Sequence, residues 1–267
     1  MSLLILPFFA QLTFVVCVGL VLGSFANVII YRLPKGESVI SPRSRCQKCL
    51  QPIRWFENIP LVSYLFLRGK CNRCGVRISP RYFVVEALMG LGFGALFWWH
   101  GPNFYFVEHA IFYFGLLTVS MIDIDHMILP DSFTLSGIVI GLVGSLFNSG
   151  RGFTEAFVGV LMGGGFLWLV AYLYYVWRKQ EGMGGGDIKL LAWIGAVLGW
   201  TAITFVILIA CFFGSLVGIA VSFRSKQGMK TMIPFGPYLA FGAVLYIFGG
   251  SYFGELYIRF FLPSLVP

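Results

Sequence analysis

The chain has 267 residues, of which 58% are hydrophobic and only 11% are charged. A mean hydropathy of +0.84 and 28 phenylalanines exclude an ordinary soluble domain and indicate a membrane protein. The formal net charge of +8 at pH 7 is spread in a way that predicts membrane topology, and no aromatic-and-basic motif for nucleic acid accompanies it.

Long apolar runs recur along the whole chain. A helix needs about 20 apolar residues to cross a hydrocarbon core of about 30 Å. The runs predict an all-α polytopic fold with about eight transmembrane helices, over residues 5–31, 82–100, 107–122, 133–149, 155–177, 188–200, 202–222 and 236–258. Only residues 199–201 separate the sixth and seventh runs, so seven spans is the alternative. The first run is too long for a cleavable signal peptide and lacks a basic segment before it, so we expect a retained span.

Most basic residues lie in three loops that eight spans would place on one side of the membrane. Segment 32–81 holds eleven of the nineteen Lys and Arg residues, and loops 178–189 and 223–234 hold three each. Because cytosolic loops carry an excess of Lys and Arg, we expect these loops in the cytosol and the N-terminus opposite. Three domains are predicted: a first helix (1–31), a cytosolic insert (32–81) and a membrane domain (82–267). Lipid is the expected surrounding partner, and nucleic acid is not expected.

The insert carries two Cys-X-X-Cys pairs, Cys46 with Cys49 and Cys71 with Cys74. Two such pairs at about this separation are typical of a zinc ribbon, in which four thiolates close a tetrahedral shell around Zn²⁺. An insert of about 50 residues buries little apolar surface, so a structural zinc ion would supply much of its folding free energy. Two disulfides or a redox role are the alternatives, and a reducing cytosol disfavours disulfides.

Acidic residues are rare, and those at the ends of apolar runs are candidates for function because a charged group at membrane depth is costly. Glu86 lies near the start of the second run, where it either pairs with a neighbouring Arg or serves a binding pocket. Asp123 closes the third run. Asp125 and His126 follow it, as part of a solvated turn or as support for the site. We expect Asp131 to cap the fourth helix.

A second acidic cluster reads Glu181-Gly-Met-Gly-Gly-Gly-Asp187. Asp187 begins the sixth run, where a helix N-terminus favours negative charge. Gly184 and Gly186 leave room for a substrate backbone to pass close to the site, although a Gly-rich turn with an Asp cap is the plainer interpretation. Two carboxylates at matching depth can share one proton and activate water for hydrolysis. Asp123 and Asp187 are therefore the candidate catalytic pair.

An ordered set of motifs resembles the type IV prepilin peptidases, the bacterial leader peptidase and N-methyltransferase family with a GxGD-type aspartic site. The resemblance covers nearly the whole chain. Its motifs are Gly23–Pro34, the two cysteine pairs, Leu67–Cys71, Ile78–Tyr82, Ile122–Asp123, Leu129–Asp131, Gly182–Leu190 and Ile233–Tyr238.

The resemblance implies an aspartic membrane protease of the bacterial inner membrane with Asp123 and Asp187 as catalytic acids. It implies cleavage of prepilins and pseudopilins after the Gly that ends a short basic leader. It also implies methylation of the new N-terminal residue from S-adenosylmethionine, with Gly69 and Lys70 loosely implicated in that step. A peptidase without methyltransferase activity, a proton-coupled transporter and a metal-sensing scaffold are the competing functions.

Overall fold

The computed structural model describes residues 7–180, 182–224, 233–250 and 252. Glu181, most of the loop 223–234 and the end of the predicted run 236–258 lie outside these residues. The chain forms two compact units, residues 1–118 and 119–267, and the boundary falls inside one long helix. The three predicted domains remain predictions.

The described residues are almost entirely helical, as the all-α prediction requires. Nine α-helices follow one another within this part of the chain: α1 (Phe8–Arg32), α2 (Val62–Phe66), α3 (Pro80–His100), α4 (Phe104–His126), α5 (Asp131–Gly144), α6 (Phe153–Arg178), α7 (Gly185–Leu198), α8 (Thr201–Arg224) and α9 (Gly236–Leu245). A π-helical turn, Tyr246–Gly250, continues α9. Short 3₁₀ helices cover Leu33–Lys35 and Trp55–Asn58.

Five of the described helices are long and apolar enough to cross a membrane, so the chain is a multi-pass membrane protein. They begin at Phe8, Pro80, Phe104, Phe153 and Thr201. The predicted count of eight spans is not confirmed, because α5, α7 and α9 are shorter. The 14 residues of α7 extend only about 21 Å. The predicted sixth and seventh runs do form separate helices, since α7 ends at Leu198 and Gly199 turns with φ +81°.

Glycines let neighbouring helices approach closely within each unit. In the first unit, a Cβ on Gly23 of α1 would lie 2.8 Å from the Cα of Glu86 on α3. In the second unit, Gly159 of α6 and Gly195 of α7 meet backbone to backbone. Any side chain at these positions would force the helices apart. The α6–α7 contact positions the helix whose first turn contains Asp187.

The insert is built around two similar turns, and each turn surrounds one cysteine pair. In the first, Cys46 accepts a hydrogen bond from the N–H of Leu50 at 2.9 Å, and in the second Cys71 accepts from Gly75 at 2.9 Å. Leu50 and Gly75 are the fifth residues of their turns, counted from the first cysteine of each pair. Both have positive φ, +56° at Leu50 and +67° at Gly75. An isolated antiparallel β-bridge flanks each turn, Arg45 with Pro52 and Lys70 with Arg77. This arrangement agrees with the predicted zinc-ribbon-like insert.

Candidate active site and metal centre

Asp123 lies in the last turn of α4 and is 5% exposed. Its Oδ2 accepts a hydrogen bond of 3.0 Å from the backbone N–H of Gly236, the first residue of α9. The N-terminus of a helix carries partial positive charge, so α9 stabilises a carboxylate at this point. A Cβ on residue 236 would lie only 2.7 Å from that oxygen, so the contact requires glycine.

Asp187 is the third residue of α7, within the first turn of the helix. Its backbone N–H donates to the carbonyl of Gly184 at 3.2 Å, which closes the turn into the helix. The side-chain Oδ1 is buried and has no hydrogen-bond partner among the described residues. A buried carboxylate oxygen without a partner is costly, which is characteristic of a functional group.

The structure brings these two acids together although 63 residues separate them in the chain. Asp123 lies close enough to Asp187 for its charge to act on the second carboxyl group. Both belong to the second compact unit. Leu129, in the loop after α4, packs beside them: a Cβ on Gly186 would lie 2.8 Å from its Cβ, and one on Gly236 would lie 3.2 Å from its Cδ2.

Sequence reasoning missed the roles of Gly236 and Leu129. Both stand in motifs that carry the resemblance, Ile233–Tyr238 and Leu129–Asp131, and this was the signal that could have identified them. The two glycines predicted to position substrate differ in their surroundings. A Cβ on Gly186 would clash with Leu129, whereas Gly184 has open space on its Cβ side.

The remaining acids of the first cluster lie at the surface. Asp125 and His126 are exposed at the end of α4. Asp131 does not cap α5, because Pro130 precedes the helix as its N-cap and Asp131 is the first helical residue. Instead Asp131 pairs with Lys189 of α7 at 2.6 Å. The expectation that Asp131 caps α5 is wrong, since its side chain reaches a neighbouring helix.

Glu86 contacts the insert from the second turn of α3. Its Oε2 accepts a hydrogen bond of 2.9 Å from the backbone N–H of Leu61. This hydrogen bond fastens the insert to α3.

The four cysteines of the insert converge on one point. Their sulfur atoms all lie within 4.8 Å of one another, and the Sγ atoms of Cys46 and Cys74 are 3.8 Å apart. A tetrahedral Zn²⁺ with bonds of about 2.3 Å separates its sulfur ligands by about 3.8 Å. All four are free thiols, so the disulfide alternative does not describe this structure. The donor set fits a structural zinc ion.

The first cysteine turn of the insert favours the thiolate form of Cys46. The backbone N–H groups of Cys49 and Lys48 point at the sulfur of Cys46 and lower the pKa of that thiol to about 6. A thiolate is the form that binds a metal, so this turn favours metal binding at neutral pH.

A cleft of about 530 Å³ opens next to the second cysteine pair. Gly69 and Lys70, the two residues before Cys71, line it. The other lining residues are Tyr64, Arg68, Arg77, Ile78, Ser79 and Pro80. The cleft therefore combines one aromatic ring with three cationic side chains.

Comparisons with known proteins agree with this site. Residues 17–100 match the bacterial peptidase A24 N-terminal domain, and residues 110–219 match the type IV leader peptidase family. The cysteine pairs lie in the first match and both acids in the second.

The chain belongs to the type IV leader peptidase family. A prepilin leader peptidase/N-methyltransferase of Stutzerimonas stutzeri is 37% identical over 275 residues, which cover 93% of this chain and 95% of that protein. Proteins of the same name from Pseudomonas aeruginosa and Neisseria gonorrhoeae are 35% and 37% identical. They cover 93% and 83% of this chain, and 95% and 84% of their own lengths. No solved structure matches the chain.

Proposed function

We propose that this protein cleaves the leader from type IV prepilins or pseudopilins and then methylates the new N-terminal residue. The observation that carries the proposal is the convergence of Asp123 and Asp187, which come from the ends of two helices of the type IV leader peptidase region. Gly236, which donates to Asp123, and Gly186, which precedes Asp187, both lie against Leu129. The names of the relatives support both activities. Asp123 and Asp187 are the proposed catalytic residues.

The proposed hydrolysis uses the two carboxylates as one unit. One acid, ionised, takes a proton from the attacking water, and the other, protonated, donates a proton to the scissile carbonyl or the leaving amine. The N–H of Gly236 holds one oxygen of Asp123 in place. The unpartnered Oδ1 of Asp187 is suited to hydrogen-bond the water or the scissile group. Gly184 and Gly186, beside Asp187, are proposed to let the substrate backbone approach.

Methylation requires a methyl donor, and S-adenosylmethionine is the proposed one. The cleft beside Cys71 suits it chemically. Tyr64 offers a ring for stacking against adenine, and Arg68, Lys70 and Arg77 offer cations for the donor's carboxylate. The donor supplies an electrophilic methyl group, and the task of the cleft is to position it. Zinc in the four-cysteine site is proposed to hold the cleft in shape.

The proposed location is the bacterial inner membrane, with the insert and both acids at its cytosolic face. The concentration of Lys and Arg in the insert supports this orientation. A substrate with a cytosolic basic leader followed by an apolar helix presents its scissile bond at that face.

One assay tests both activities. The purified protein in lipid nanodiscs is incubated with a synthetic prepilin and S-adenosylmethionine that carries a deuterated methyl group, and the product masses are measured. We expect a leaderless product whose first residue carries one labelled methyl group. Cleavage without the label would show peptidase activity and contradict the proposed methyl transfer. An uncleaved prepilin would contradict the proposal as a whole.

A further inference from the structure

The outer surface of the insert carries a ridge of large apolar side chains. We define the apolar ridge as Trp55, Phe56, Val62, Leu65 and Phe66. All five are exposed, with Trp55 at 81% and Phe66 at 83%. The five exposed large apolar side chains of the ridge, all within residues 55–66, are unusual for a small domain surrounded by water.

In this segment a polar side chain is buried and the apolar side chains are exposed, which is the reverse of the usual arrangement in a soluble pair of helices. The 3₁₀ helix Trp55–Asn58 and helix α2 pack through the hydroxyl of Ser63, which donates to the carbonyl of Phe56 at 2.7 Å. The same hydroxyl accepts from the N–H of Ile59 at 3.1 Å. Ser63 is only 8% exposed, so its polar group is turned inward while the apolar ridge is turned outward. Such an arrangement is stable where the surroundings are apolar.

The contact between Glu86 and Leu61 ties the segment that carries the ridge to helix α3. Helix α3 has 21 residues and extends about 31 Å, which matches the thickness of a hydrocarbon core of about 30 Å. Glu86 follows Pro80, the first residue of α3, by six positions, or about 9 Å along the helix. Its carboxylate binds the N–H of Leu61 directly before α2. The start of α2 is therefore tied to the second turn of a helix that is long and apolar enough to span a membrane. Interfacial segments bury their apolar faces about 5–10 Å into the headgroup boundary, next to such helix ends.

The surroundings of the ridge also fit a lipid boundary. Val84, Leu88 and Leu91 expose their side chains along the same helix, α3, as a lipid-facing surface does. Arg54 and Arg68 stand at the two ends of the ridge and are exposed. Long basic side chains beside an apolar face reach anionic headgroups while their stems stay in the apolar layer.

We propose that the apolar ridge inserts into the boundary between headgroups and acyl chains of the leaflet on the side of the insert. Arg54, which directly precedes the ridge, contacts the phosphates of anionic lipids there. The insert is then a membrane-associated domain and is not surrounded by water on all sides. The occupant is lipid rather than a peptide because the ridge segment is tied to α3, a membrane-spanning helix whose own exposed residues Val84, Leu88 and Leu91 are apolar.

Photo-crosslinking tests this inference in the full-length protein with its cysteines intact. The photoreactive residue p-benzoylphenylalanine replaces Phe66 or Trp55, and the protein is illuminated in nanodiscs that contain phosphatidylglycerol. The same residue at Leu91, on the lipid-facing side of α3, is the positive control, and at Arg43, an exposed position of the insert, it is the aqueous control. Lipid adducts are measured by intact mass spectrometry. We expect yields at Phe66 and Trp55 comparable with Leu91 and several-fold above Arg43.

The outcomes separate lipid from other occupants. Yields at Phe66 and Trp55 as low as at Arg43 would overturn the proposal and place the ridge in water. Adducts with a prepilin, formed at these positions only when prepilin is added and with few lipid adducts beforehand, would overturn it in favour of a peptide-docking surface. Neither result depends on whether cleavage occurs.

Discussion

At the scale of single residues, the proposed catalytic carboxylate depends on a glycine 113 positions away. Asp123 receives its hydrogen bond from the N–H of Gly236, and only a hydrogen atom fits between that Cα and the carboxylate. The position of Asp123 is therefore set by the C-terminal end of α4, which carries it, and by the N-terminal end of α9, which donates the hydrogen bond. Asp187 differs, because its Oδ1 is left without a partner among the described residues. The carboxylate of Asp123 is therefore fixed by a hydrogen bond, whereas Oδ1 of Asp187 can bond the substrate or the attacking water. The proposed mechanism needs both properties, since one acid takes a proton from water and the other donates one to the substrate.

Replacing Gly236 with alanine tests the held acid. The new methyl group would lie 2.7 Å from Oδ2 of Asp123 and 3.2 Å from Leu129, so it displaces the carboxylate. We expect the turnover rate of prepilin cleavage to fall by up to about a hundredfold, since misplacement by about 1 Å has effects of that size. Gly185→Ala is the matched control, because a Cβ there meets nothing within 4 Å. Equal rates for the two variants would refute the role of Gly236.

At the scale of elements, the contact between α6 and α7 positions the helix of Asp187. Gly159 and Gly195 meet through their backbones, so Gly195→Ala forces α7 away from α6. Overpacking of this kind costs about 1–3 kcal/mol. We expect a lower thermal midpoint in detergent and a lower cleavage rate. The control Gly165→Ala, on α6 with open space around its Cβ, should leave both unchanged. A stable and active Gly195→Ala protein would contradict this account of the contact.

Leu50 and Gly75 occupy the same position in the two cysteine turns, and we expect substitutions there to have opposite effects on zinc binding. Leu50 adopts φ +56°, a conformation that costs a side-chain residue about 1–2 kcal/mol, whereas Gly75 occupies the equivalent place in the second turn without that cost. We expect Leu50→Gly to slow the release of zinc to a chelator and Gly75→Ala to speed it. Chelator-dye kinetics on the purified protein measures both. Changes in the same direction would show that backbone strain does not control the site.

At the scale of the whole molecule, the two proposed activities depend on different parts of the chain. The proposed donor cleft adjoins Cys71 in the first unit, and both acids belong to the second. We expect about one zinc ion per chain by elemental analysis, and none in the Cys71→Ser variant. Removal of zinc should reduce methyl transfer more than cleavage, because the cleft loses its support while the acid pair is kept. An equal loss of both activities would contradict this separation.

Much of the candidate site could be predicted from the sequence, because its chemistry is carried by rare residues. Four cysteines in two pairs and a few acids in an apolar chain have few structural uses. The contacts of Gly236 and Leu129 could not be predicted, since a close approach depends on how distant helices pack. The length of the fourth run, 133–149, was overestimated, because α5 ends at Gly144. Hydropathy reports apolar character and not where a helix ends: α7 ends at Leu198 because Gly199 adopts φ +81°.

Cleavage by Asp123→Asn and Asp187→Asn proteins is the most direct measurement. Each variant is purified in nanodiscs, checked for membrane insertion, and incubated with a prepilin. Asp131→Asn is the control with the same change of charge, since the exposed Asp131–Lys189 pair is worth at most about 1 kcal/mol. We predict that both catalytic variants fail to cleave while the control retains activity. Sustained cleavage by either inserted variant would contradict the assignment of the coupled acids as the hydrolytic pair.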